Sequence, residues 1–96
     1  MSETPDDITI EYEEDGQILV RELDKVILSK GAWTTLLFRY QELIRETGEY
    51  GPDKYTIRRY KKVGGNYIPQ SKFNISSAKQ AREIVNALSS WIGNDA

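Results

Sequence analysis

Between positions 54 and 73 the sequence "KYTIRRYKKVGGNYIPQSKF" holds six lysines and arginines (Lys54, Arg58, Arg59, Lys61, Lys62 and Lys72), three tyrosines and no carboxylate. Cations interleaved with aromatic rings suit a single-stranded nucleic acid, because the charges follow the phosphates and the rings stack on bases. A basic edge strand can also serve only to discourage aggregation, but lysine alone satisfies that role. Arginines alternating with tyrosines fit a polyanion-binding surface better.

Other chemistries find less support. The 96 residues include no cysteine and no histidine, which removes disulfides, the usual zinc sites and every Ser-His or Cys-His nucleophile pair. A metal-dependent nuclease could work without either, but its strand element needs an acid two residues before a lysine, and no lysine here has one. Glu11, Glu13, Glu14 and Asp15 lack the ordered spacing of a calcium loop and read as a solvated acidic run. No Gly-rich phosphate loop occurs, and "KKVGGNY" reads as a hairpin turn. The expectation is a non-enzymatic protein without catalytic residues, metal or cofactor.

Charge is distributed unevenly. Residues 1–24 carry nine acids against Arg21 alone, net −8, whereas residues 25–96 carry six acids and twelve bases, net +6. The sequence therefore divides into an acidic N-terminal extension over 1–24, either a hairpin or a partly disordered arm, and a basic domain over 25–96. No apolar run approaches the roughly 20 residues that span a bilayer, and the acidic start is unlike a signal peptide. The expected compartment is the cytoplasm, or the nucleus in a eukaryote.

The elements that would carry the cations follow from periodicity. "ITIEYEEDGQILVREL" alternates on both sides of an Asp-Gly turn, "KVILSKGAW" reads as a short strand ending at Gly31, and "WTTLLFRYQELI" places Leu36, Phe38 and Tyr40 on one face. After the Gly/Pro-rich loop "ETGEYGPD", residues 54–63 alternate with Tyr55 and Ile57 on one side and Lys54, Arg58, Tyr60 and Lys62 on the other. Pro69 marks the next strand as an edge or a bulge. "SSAKQAREIVNALSSWIG" is an amphipathic helix with Ser76 or Ser77 as cap, an apolar stripe through Ala81, Ile84, Val85, Leu88 and Trp91, and Gly93 as terminator. Such a helix must cover something apolar, and the sheet's inner face is the expected target. Trp33 and Trp91 read as packing residues.

The run "YTIRRYKKVGGNYIPQSKFNISSAKQAREIVNAL" resembles the core of the transcriptional coactivator positive cofactor four, a family with bacterial and phage homologues. The likeness lies in "IRRY" at 57–60, the Gly64-Gly65 turn, Pro69 and the serine-started helix, within roughly residues 25 to 92. It implies an α+β fold, a curved four-stranded antiparallel sheet followed by one C-terminal amphipathic helix, assembled as a homodimer that binds single-stranded DNA with little sequence preference. It implies roles in replication, recombination or transcription, with proteins of those processes as further partners. Lys54, Arg58, Arg59, Lys61 and Lys62 would hold phosphates, extended by Lys25, Lys30, Arg39 and Lys72. Tyr60 and Tyr67 would stack on bases, and Ile84, Leu88 and Trp91 would form the dimer interface. Lys61 stands where the family often has an aromatic. An RNA-binding module and an adaptor that docks an acidic protein on the basic face are the alternative readings.

Overall fold

The computed structural model of the protein describes residues 5–93. After a short 3-10 turn at Pro5–Asp7 come β1 (Tyr12–Glu14), β2 (Gln17–Ser29), β3 (Trp33–Ile44), β4 (Glu49–Tyr50), β5 (Lys54–Val63), β6 (Asn66–Ile75) and the helix α1 (Ala78–Ile92). The fold is α+β, a curled antiparallel sheet in the order β1-β2-β3-β5-β6, with β4 attached to β3 alone, and one C-terminal helix. Four strands were expected and six are present. The additional strands arise because the acidic hairpin joins the sheet and the 45–50 loop folds back to pair two residues with β3. Strand β2 runs through positions 24 and 25 without a break, so part of the acidic segment is built into the sheet.

Two turns organise the meander. Glu14 pairs with Gln17 around Asp15 (φ 52°) and Gly16 (φ 80°), and Val63 pairs with Asn66 around Gly64 (φ 59°) and Gly65 (φ 86°). Both are two-residue hairpin loops with left-handed backbone at each position, which glycine and aspartate tolerate and which matches strand twist.

Alternation places Leu36, Phe38 and Tyr40 of β3 on one face, hereafter the inner face, opposite Arg58, Thr56 and Lys54 of β5. The core lies there: Leu36 and Phe38 are 0% exposed, Tyr60 is 6% exposed, and Ile8 closes over them at 5%. Ile10, Ile27 and Tyr67 pack at its margin. The alternation of β5 is as expected, and the set with Lys54, Arg58, Tyr60 and Lys62 is the one that faces the core. The cationic face is the buried one, and the face with Tyr55 and Ile57 looks outward.

The helix does not cover the inner face. Ser77 caps it, its hydroxyl accepting from Gln80 N at 3.1 Å, and Gly93 ends it, donating to Ser89 O at 2.7 Å. No α1 residue is buried, and the first half of the helix lies by the outer face, with Ala78, Ala81 and Val85 beside Tyr55. The cover over the core comes instead from the N-terminal segment carrying Ile8 and Ile10. No described helix is long and apolar enough to cross a membrane.

Candidate nucleic-acid interface

The strand register sorts the basic residues into two sets. On the inner face, Arg58 of β5 lies directly opposite Lys72 of β6, and Lys62 lies opposite Tyr67. The Lys62 ammonium sits 5.6 Å from the centre of the Tyr67 ring. Between these rows Tyr60 faces Pro69. Like charges placed opposite one another repel, so the Arg58 and Lys72 pair favours an anion between them. A surface cleft of about 320 Å³ lined by Arg58, Pro69, Gln70, Ser71 and Lys72 opens beside the pair. Arg58, Lys62 and Lys72 form no ion pair among the described residues.

A β-bulge makes this grouping possible. Arg59 pairs with Ser71 and Tyr60 with Pro69, leaving Gln70 unpaired between them. In a regular strand Lys72 and Tyr67, five residues apart, would point to opposite faces. The extra residue brings both to the inner face, and Pro69 sits at the irregularity, where its missing N–H costs least.

Two expected contacts are already engaged within the protein. The Lys54 ammonium donates to Glu42 Oε1 at 2.6 Å, and this hydrogen bond raises its pKa above the usual lysine value. Arg39 lies 3.8 Å from Asp53 on the outer face, where Gln41 also donates to Asp53 at 2.8 Å. Arg21 continues that network, donating to Gln41 at 2.6 Å and stacking 3.9 Å from the Tyr50 ring centre.

Arg59 and Lys61 belong to the outer face. Lys61 pairs with Trp33 across the β3–β5 ladder, and Arg59 and Lys61 lie 4.6 and 5.6 Å from the Trp33 ring centre. The sequence suggested Trp33 as packing, but it is half exposed and flanked by cations. Only the β3–β5 register reveals that pairing, because the partners are far apart in sequence. Lys30 is exposed in the loop between β2 and β3.

Tyr60 is not open for stacking as it stands. Burial beneath Ile8 raises its phenol pKa, as burial also does for Tyr40. Lys25 shares the inner face with Phe38, and its ammonium donates to the backbone carbonyls of Asp6 and Ile8, both at 2.7 Å, and more weakly to that of Pro5 at 3.5 Å. The eleven residues expected to form one surface thus divide into an open inner cluster (Arg58, Lys62, Lys72 and Tyr67), two covered inner residues (Lys25 and Tyr60), an ion-paired lysine (Lys54), and four residues elsewhere (Lys30, Arg39, Arg59 and Lys61).

Searched against protein-family models, curated proteins and solved structures, the chain matches none.

Proposed function

We propose that the protein binds single-stranded DNA, without catalysis and with little sequence preference, along the β5–β6 half of the inner face. The observation that carries this reading is the cross-strand pair of Arg58 and Lys72 beside Lys62 and Tyr67, with no carboxylate among the described residues ion-paired to any of the three cations. Arg58 and Lys62 lie four residues apart on one strand, about 13 Å along its axis, so phosphates can be held at both ends of a short track. Tyr67 supplies a ring within it. The resemblance of residues 55–88 to the positive cofactor four core supports the same reading and implies roles in replication, recombination or transcription. Titration of oligo-dT, its duplex and the matching RNA over a range of salt tests it. The single-stranded DNA should bind best, with log affinity falling by roughly 0.7 per log salt for each phosphate engaged. Affinity that does not change with salt excludes the mechanism.

The active form in this proposal is a homodimer. Val26, Leu37, Ile57 and Phe73 align across four strands as an apolar row on the outer face, and Phe73 is 54% exposed. Along α1, Val85, Leu88 and Ile92 are also exposed, Trp91 is 81% exposed, and Ile84 is half buried. Apolar surface of this extent on a small domain marks an association site. A second copy covers it, with Ile84, Leu88 and Trp91 at the contact. In sedimentation equilibrium the native protein should run as a dimer and Leu88→Asp as a folded monomer. A native protein that stays monomeric at all concentrations rules this assembly out.

A further inference from the structure

We infer that residues 5–10 form a displaceable strap that occupies the nucleic-acid face, and that a single strand binds by lifting it. The inference rests on the proposed DNA interface and adds its regulation.

The strap is attached by few and separable contacts. Ile8, 5% exposed, is its apolar anchor against Leu36, Phe38 and Tyr60. The Lys25 ammonium clamps its backbone through the carbonyls of Pro5, Asp6 and Ile8. The Thr9 hydroxyl donates to Glu22 Oε1 at 2.6 Å. Residues 8–11 belong to no strand, so no ladder of backbone hydrogen bonds has to break for the segment to leave.

What the strap covers is matched to what a single strand brings. Lifting Ile8 bares the rings of Phe38 and Tyr60 beside Arg58, and a base stacked there restores the apolar cover. Releasing the three carbonyls frees the Lys25 ammonium, which a phosphate oxygen can engage with a stronger, charge-assisted bond. Asp6 and Asp7 belong to the segment, so lifting it carries two carboxylates away with it. The ligand thus replaces the Ile8 packing and the Lys25 clamp with contacts of the same kind, and the track extends from Arg58 and Lys72 to Lys25. Because only the open state binds fully, the apparent affinity is reduced by the fraction of time the strap spends closed.

The absence of cysteine allows a clean lock. A Thr9→Cys, Glu22→Cys double variant puts one thiol on the strap and one on the strand that the Thr9 hydroxyl reaches, with disulfide formation verified by thiol titration. Oxidised, it should bind oligo-dT about tenfold or more weakly than when reduced, since the competent state is removed. Ile8→Asp, which removes the anchor, should bind severalfold more tightly than the native protein while keeping its helix signal in circular dichroism. Equal affinity in both redox states, together with native affinity for Ile8→Asp, overturns the strap but leaves the interface standing, provided binding still falls with salt. No binding in any form overturns the interface and the strap together.

Discussion

Replacing Arg58, Lys62 and Lys72 together with alanine is expected to weaken oligo-dT binding at low salt by on the order of a hundredfold, because charged hydrogen bonds contribute about 1.5–3 kcal/mol each before compensation. The salt dependence should flatten at the same time, by about two log units of affinity per log unit of salt, since three phosphate contacts are lost. The paired readout matters, because damage to the fold would lower affinity without changing the slope in that proportion. Two comparisons locate the track. Lys54→Ala and Arg39→Ala remove cations already held by Glu42 and Asp53 and should change affinity little. Arg59→Ala with Lys61→Ala removes the pair flanking Trp33 on the other face and should change it far less than the inner triple. A larger loss from the outer pair than from the inner triple would move the interface to the opposite side of the sheet.

Phe38→Ala should be the most damaging single substitution for stability. Its ring is 0% exposed at the centre of a core that has few other fully buried side chains. Truncating a buried phenylalanine costs about 3–5 kcal/mol, a large share of the 5–15 kcal/mol typical of a whole domain. For a domain of this size that corresponds to a fall in melting temperature of roughly 15 °C or more. Phe73→Ala, on the outer row, should lower the melting temperature far less in the monomeric Leu88→Asp background, and more in the native protein if the row is covered by a second copy. Thermal melts of the variants separate these cases, and a Phe38→Ala protein that melts within a few degrees of native contradicts the core described above.

Much of the sheet was legible because its signals are local. The Asp15-Gly16 and Gly64-Gly65 turns, the alternation of β3 and β5 and the serine cap of α1 each depend on residues within a few positions. The buried side was not legible, because alternation separates two sets of side chains without saying which is covered. Leu36 and Phe38 chose the inner side, and the β3–β5 register then carried Arg58 and Tyr60 in with them. The cover itself was hidden, since Ile8 is one apolar residue in an acidic run and the buried side chains it packs on, Leu36, Phe38 and Tyr60, lie 28 or more positions away. The division of the cations between two faces was equally out of reach, because Arg58 and Arg59 are sequence neighbours and their separation depends only on which face each takes.

The unpaired Gln70 has a consequence for how this surface could change. A β-strand behaves as a two-state phase, and the bulge is a half-period slip that every residue on its far side inherits. Deleting that residue would leave every other one on its present face, whereas drawing it into the ladder as a regular residue would invert the phase from Pro69 back to the hairpin tip, exchanging Tyr67 for Ile68 on the inner face while leaving Lys72 in place opposite Arg58. No side chain would be altered, yet the ring would leave the track. A one-residue slip in this strand, with no substitution at all, therefore separates the aromatic function from the cationic one.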